Sequence, residues 1–256
     1  MTDSSESTPA QCDAHLSQIT TTWTALLQAH SGPPESAKAA QVRLLERYSA
    51  AIFRYLLAAV RTQDVADDLF QEFALRFVRG DFKHADPARG RFRDFLKTSL
   101  VHLVIDHRRR QQHRPATLEG EVPDRTIDKS LQIDSDQQFL AIWRAELMNR
   151  AWDSLLQFER QTGQPAYTLL RYRTDHPEMK SAQLAEQIGS QLQRSVTAQW
   201  VRKQLHLARQ NFTGFLVDEV AGSLGNPTNE ELEEELISLG LQTYCRGALA
   251  QRGLRS

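Results

Sequence analysis

Asp64, Asp67, Asp68, Gln71 and Glu72 place five side-chain acceptors within nine residues. At about 100° per residue they share one arc of a helix, and Ala66, Leu69, Phe70, Phe73, Ala74 and Phe77 share the opposite one. Acids near a helix N-terminus are favoured by the macrodipole, so a solvated face is one reading. The other follows from the absence of Lys or Arg in the first two turns. Acceptors without local partners suit an arginine-rich surface, gripped through charge-assisted hydrogen bonds.

A second constellation follows directly. Asp81 to Arg114 carries Lys83, Arg89, Arg91, Arg93, Lys97, Arg108, Arg109, Arg110 and Arg114 against four aspartates. Its first part, DFKHADPARG, combines Phe82, a rigid Pro87 and a permissive Gly90. Such a loop can hold an unstacked base, and aromatic stacking contributes roughly 1–3 kcal/mol per base. The helix beyond has Phe92, Phe95, Leu96, Leu100, Leu103 and Val104 for packing and its arginines for phosphates. Those arginines would also solubilise a helix end and offset its dipole. His102 and Asp106 lie four apart, but no third ligand sits at metal spacing, so no metal is expected.

A third constellation lies between Ser181 and Phe212. Leu184, Ala185 and Ile188 give one helix an apolar face, and Thr197 stands where it would cap the next. On that second helix Ala198, Val201, Leu205, Ala208 and Phe212 share an arc, opposite Gln199, Arg202, Lys203, His206 and Arg209. An apolar back and a polar, basic front are what a recognition helix needs to enter the major groove. A plain helical hairpin has the same pattern.

The elements that must position these groups are helical throughout. No run shows sustained two-residue alternation, and the fold class read from periodicity is all-α. Helices are expected over Val42–Val60, from Asp64 (as N-cap) to Gly80, Arg91–Gln111, Phe139–Arg160, Ala166–Thr174, Ser181–Leu192 and Thr197–Val217. An acidic piece over Asn229–Gly240 and a short terminal stretch follow. Pro115 to Gln138, with two prolines and many polar residues, reads as a linker. This divides the chain into an extension (1–40), a first helical domain (41–114), the linker (115–138), a second helical domain (139–217) and an acidic C-terminal extension (218–256). Trp23, Leu26 and Leu27 suggest a short amphipathic helix in the first extension.

Composition narrows the class. With 40% hydrophobic and 25% charged residues among 256, the chain is globular, of one or two domains. No apolar run approaches the ~20 residues of a membrane span, so no membrane partner is expected. The first residues, MTDSSESTPAQ, lack the features of a signal peptide. Cys12 and Cys245 have no companions at metal spacing. Together these features point to the cytoplasm. The net charge of −1 conceals a segregation: Asp218 to Glu235 contains only acidic charges.

Taken together, the segments resemble sigma-70-type transcription initiation factors, in particular the two-domain extracytoplasmic-function (ECF) group. Asp67-Asp68-Leu69-Phe70-Gln71-Glu72 is similar to that group's region 2 signature. Phe92-Arg93-x-Phe95-Leu96 followed by Asp106-x-x-Arg109 is similar to its next run, and Val196-Thr197-x-x-x-Val201-Arg202 with Leu205-His206-x-Ala208-Arg209 to the second helix of region 4. The wording around RLLERY and LFQEFALRFVRGDF looks like a subgroup common in planctomycete-type bacteria. The chain departs from the pattern at Phe95, usually Trp, and at His102, often Asn. Between Gly189 and Val201 about six residues exceed a compact helix-turn-helix.

The resemblance implies a DNA-binding subunit with no cofactor and no enzymatic activity of its own. Asp67, Asp68, Gln71 and Glu72 would dock the clamp coiled coil of the β′ subunit of core RNA polymerase. Phe82, Arg89, Arg91, Phe92, Arg93, Lys97, His102, Asp106, Arg108, Arg109 and Arg110 would read and melt the −10 element of promoter DNA around a flipped base. Gln199, Arg202, Lys203, His206 and Arg209 would enter the −35 major groove, and region 4 would also touch the β flap. An anti-sigma factor would be a further partner. Outside the resemblance, the unbroken acidity of the C-terminal extension suggests that it screens the DNA-binding surfaces of the free protein.

Three other readings compete. A stand-alone helix-turn-helix regulator accounts for the second domain but not for the acidic helix. A degenerate sigma relative would hold polymerase without initiating. A metal-dependent hydrolase would use His84, His102, Asp106 and His107.

Overall fold

A computed structural model describes residues 26, 29, 33–82, 90–112, 129–191, 193, 195–224 and 227–253. The fold is all-α, and every regular element among these residues is a helix: α1 Pro34–Val60, α2 Gln63–Arg79, α3 Phe92–Gln112, α4 Lys129–Thr162, α5 Ala166–Asp175, α6 Ser181–Gln191, α7 Ala198–Leu224, α8 Asn229–Ser238 and α9 Gln242–Gly253. The chain divides into two compact units. The first comprises Met1–Trp143 with Ala221–Asn226, and the second Arg144–Val220 with Pro227–Ser256.

In the first unit α1, α2 and α3 pack pairwise. The arc expected for α2 holds at its centre: Ala66, Leu69, Phe73 and Phe77 are buried, while Phe70 and Ala74 are half-buried. They meet Ile52 and Leu56 of α1 and Leu96, Leu100 and Leu103 of α3 in one apolar core. Pro34 opens α1, where its missing N–H costs nothing. The helix ends on Arg61 at φ 62, with the Arg61 N–H donating to Leu57 O at 2.7 Å. A left-handed φ usually falls to glycine, and Gly80 supplies it after α2 at φ 86. The Gly80 N–H donates to Phe77 O at 3.2 Å and the Asp81 N–H to Arg76 O at 3.1 Å, the paired bonds of a Schellman stop.

Several boundaries differ from expectation: α1 already begins at Pro34 rather than Val42, and α7 runs on to Leu224 rather than Val217. α2 begins at Gln63 after an extended Thr62, so Asp64 lies in the first turn and is not the cap. α4 begins at Lys129, within the stretch read as linker. Its polar residues resist a coil assignment because Lys, Leu and Gln are good helix formers and a helix propagates cheaply once nucleated. Phe139 and Trp143, read as the start of the second domain, belong to the core of the first unit. Leu26 is helical and buried, whereas Trp23 and Leu27 lie outside the described residues.

In the second unit Leu147, Ala151 and Leu155 of α4 are buried, as are Leu169 of α5, Leu184 and Ile188 of α6, and Val201, Leu205 and Ala208 of α7. Trp152 lies 4.7 Å from the Phe212 ring and edge-on to Tyr167 at 5.8 Å. α8 opens with a full capping box: the Glu231 N–H donates to Thr228 Oγ1 and the Thr228 N–H to Glu231 Oε2. Leu232, Leu236, Leu239, Leu241 and Cys245 pack α8 against α9. The acidic run is partly engaged within this unit. Asp218 accepts from Arg252 at 3.3 Å, Glu219 lies 3.7 Å from Arg150, and Glu233 accepts from Gln242 at 2.9 Å.

Candidate docking and nucleic-acid interfaces

On α2, Asp64, Asp67, Asp68 and Gln71 are exposed, as the period predicts. Gln63 Nε2 donates to Asp67 Oδ2 at 3.5 Å. Glu72 differs from them. Its Oε1 accepts from Arg76 Nη2 at 2.6 Å and its Oε2 from Arg110 Nη2 at 2.7 Å, leaving the side chain 27% exposed. Burial opposes the charge of Glu72, but the hydrogen bonds and charges of Arg110 and Arg76 outweigh it and hold its carboxyl below the ordinary value. The five-acceptor cluster therefore separates into an outward set and one acid turned to its own chain. Arg76 was missed in the sequence, although the i,i+4 spacing of Glu72 and Arg76 signals that pair. Nothing local signals the Arg110 contact.

The residues expected to meet DNA on the first unit divide more sharply. His102, Arg108, Arg109 and Arg110 are exposed on α3. Arg108 Nη2 donates to Ala59 O at 3.2 Å, satisfying a carbonyl near the end of α1. Arg91 and Lys97 are half-buried, with Lys97 Nζ 3.2 Å from Asp136 Oδ1. Asp106 Oδ2 lies 3.7 Å from Arg76 Nη2. Arg89 lies outside the described residues, as do Lys83 and His84.

Phe92 and Arg93 are buried, and Phe82 is half-buried. Phe92 is 4% exposed, its ring 5.1 Å from Tyr48 and 6.4 Å from Trp143. Arg93 is 5% exposed, with Nε 3.8 Å from Asp94 Oδ1. Phe82 packs 5.4 Å from Phe73, 6.0 Å from Phe77 and edge-on to Phe95 at 5.5 Å. Phe92 and Arg93 thus offer little open surface to a base or phosphate. The aromatic density of α2 and α3 draws the two phenylalanines inward, because each ring buries more apolar area there than at the surface.

On the second unit Ala198, expected on the apolar arc of α7, is half-buried. Thr197 Oγ1 accepts from the Trp200 N–H at 3.1 Å, capping α7. Val201, Leu205, Ala208 and Phe212 are buried, and Gln199, Arg202, Lys203, His206 and Arg209 are all exposed along the first turns of α7. The preceding helix closes at Gln191, and a cavity of about 580 Å³ opens between it and the start of α7, lined by Ala182, Ala185, Glu186 and Gly189 on one side and Ser195, Val196 and Ala198 on the other.

Among the described residues no group of three His, Cys, Asp or Glu side chains is placed to hold a metal ion. His102 is exposed, and His107 Nε2 shares a hydrogen bond with Gln111 at 2.9 Å. No described helix is long and apolar enough to cross a membrane.

Residues 44–114 match the family model for Sigma-70 region 2. The matched segment runs from within α1 through α2 and α3. Neither a curated protein nor a solved structure matches the chain.

Proposed function

We propose that the protein is a sigma factor of the ECF group, a promoter-specificity subunit that acts with core RNA polymerase. The observation that carries this reading is the exposed Asp67, Asp68 and Gln71 face of α2 within the Sigma-70 region 2 segment. On this reading that face docks the clamp coiled coil of the β′ subunit. His102 and Arg108 to Arg110 on α3, with Arg89, Arg91, Lys97 and Asp106, engage the −10 element. The α7 face of Gln199, Arg202, Lys203, His206 and Arg209 enters the −35 major groove, next to a contact with the β flap. Chemistry is confined to binding: the energy of phosphate and base contacts offsets the unstacking of a few base steps, at a few kcal/mol each. The protein works in the cytoplasm and is open to control by an anti-sigma factor.

The test is run-off transcription with core polymerase and DNA from upstream of the protein's own coding sequence, using wild type, Asp68→Ala and Arg109→Ala. The expected result is a transcript from wild type, lost with Asp68→Ala and weakened with Arg109→Ala. Phosphate contacts should make promoter binding fall by about 10³–10⁵ between low and moderate salt if six to ten are made. No core binding and no transcript would overturn the reading in favour of a stand-alone DNA-binding regulator. Core binding without a transcript would favour a relative that holds polymerase and does not initiate.

A further inference from the structure

Between the polar front and the buried back of α7 runs a third strip. Trp200 and Leu207 stand seven residues apart, just under two turns, and so share one flank of the helix. Leu207 is 36% exposed, the one large apolar side chain of α7 that opens to solvent to this extent, and Trp200 is half-buried. Lys203 follows Trp200 by three residues and precedes Leu207 by four, so it adjoins both and joins the flank to the polar front. A single exposed leucine is ordinary on a protein surface. This one stands in line with an indole, beside Lys203 and His206, both assigned above to the −35 face.

The backbone beneath the indole is fixed. The Trp200 N–H donates to Thr197 Oγ1 at 3.1 Å, and the Val201 N–H donates to Thr197 O at 3.0 Å. Trp200 is thus held in the first turn of α7, and the N-terminal residues of a recognition helix are those that reach base edges. From Ala198 to Val217 the helix carries no acid, so none of its own side chains repels a phosphate there.

Among the four standard bases the major groove presents donors, acceptors and one apolar group, the C5-methyl of thymine. A leucine, which neither donates nor accepts, and the apolar body of a tryptophan find a single chemical match in that groove. We infer that Trp200 and Leu207 form a methyl-reading flank of α7, which selects thymine at one or two positions beside those met by the polar front. This role rests on the proposed entry of α7 into the −35 major groove. Phosphate contacts of the basic front would position the helix without sequence information, whereas the methyl contact carries it.

The probe is a promoter duplex from upstream of the protein's own coding sequence, made with either thymine or uracil across the half that α7 would cover. Uracil keeps every hydrogen-bonding group of thymine and lacks only the methyl. The duplex is chosen so that the upstream footprint of the holoenzyme contains thymine. Wild type, Leu207→Ala, Trp200→Ala and the double variant are compared as holoenzymes, with Arg202→Ala as the control for contact by the polar front. Thermal unfolding of each free protein verifies folding. Burial of one methyl group corresponds to about fourfold in affinity, so wild type should bind the uracil duplex about four- to fifteenfold more weakly. Each single variant should bind the thymine duplex about two- to fivefold more weakly and show a smaller uracil penalty. The double variant should bind the two duplexes within about twofold of each other. Equal binding of both duplexes by wild type overturns the inference. So does a full uracil penalty in the double variant, which would mark an effect of the methyl on duplex shape. Should Trp200→Ala fail to fold, Leu207→Ala decides alone: a reduced penalty supports the contact and a full one overturns it. If Arg202→Ala leaves promoter binding unchanged, α7 does not face the DNA and the −35 assignment falls too. Loss of binding by Arg202→Ala together with the adverse uracil results removes the methyl contact alone.

Discussion

Tyr48 of α1 lies flat against Trp143 of α4, the ring centroids 5.2 Å apart and the planes 7° from parallel. Phe92 of α3 tilts against both, and Phe139 meets Tyr55 edge-on at 5.4 Å. The first unit is therefore closed by two rings that come from beyond residue 114, where the Sigma-70 region 2 match ends. Such aromatic pairs contribute beyond their buried area, by about 0.5–1.5 kcal/mol.

Trp143→Ala should destabilise the protein by about 3–5 kcal/mol, the range for removing a large buried aromatic side chain. Adding Tyr48→Ala should cost less than the sum of the single changes, since the stacked partner is already gone. Urea unfolding of the set reads both effects. A loss below about 1 kcal/mol for Trp143→Ala would show that α4 does not brace this unit.

Arg61 is a side-chain-bearing residue in the left-handed region, at φ 62. That conformation costs an L-residue roughly 1–2 kcal/mol, partly offset in a glycine variant by greater freedom of the unfolded chain. Arg61→Gly should therefore raise stability by up to about 1 kcal/mol, while Arg61→Ala should give no gain. Differential scanning calorimetry distinguishes the two, and equal melting temperatures would contradict the assignment of strain.

Glu72 should make stability pH-dependent at the acid end. Its pKa in the folded protein lies below the ordinary 4.5, so the contribution of its bonds to Arg76 and Arg110 is complete above 4.5 and fades as pH falls through the folded value. The groups paired with it are Arg76 and Arg110, and Asp106 lies 3.7 Å from Arg76. The stability difference between wild type and Glu72→Gln should stay constant from pH 7 to about 5 and shrink below about 4.5. A difference that grows on acidification would mean the sign is wrong.

The faces of α2 and α7 were legible in the sequence because burying an apolar stripe imposes the helical period on residue type. The outward Asp67, Asp68 and Gln71 and the full polar face from Gln199 to Arg209 fall where that period puts them. What the period does not carry is the packing of one helix on another. The Glu72–Arg110 bond exists because α2 and α3 approach each other, and no spacing within either helix announces it. Phe92 and Arg93 illustrate the same gap. They open α3 beside a motif that suggests DNA contact, but the aromatic cluster around Tyr48 and Trp143 places Phe92 inside. Helix propensity likewise outweighed the polar composition of Lys129–Gln138.

Cys245 is fully buried between α8 and α9, and burial pushes its thiol up to about 11. At pH 8 such a thiol holds about 100-fold less thiolate than one at the ordinary 9.0, before any steric protection. In a Cys12→Ser background, labelling by a thiol reagent should be slower than in denaturant by at least that factor. Rapid native labelling would show that the α8–α9 hairpin opens readily. The rate thus reports the local stability of this hairpin.

The first unit is discontinuous, since it takes in Ala221–Asn226 after about 80 residues assigned to the second. Ala221 and Ser223 of that return segment are buried. This imposes an order in time on synthesis. Helices α1, α2 and α3 leave the ribosome early, but their unit is incomplete until the end of α7 has followed. From the end of α3 to that segment is about 110 residues, so at ~5–20 residues per second the interval is roughly 6–22 s, during which the early helices depend on their own core to stay folded. The apolar contacts that α1, α2 and α3 share are thus also the protein's protection against aggregation while it is being made.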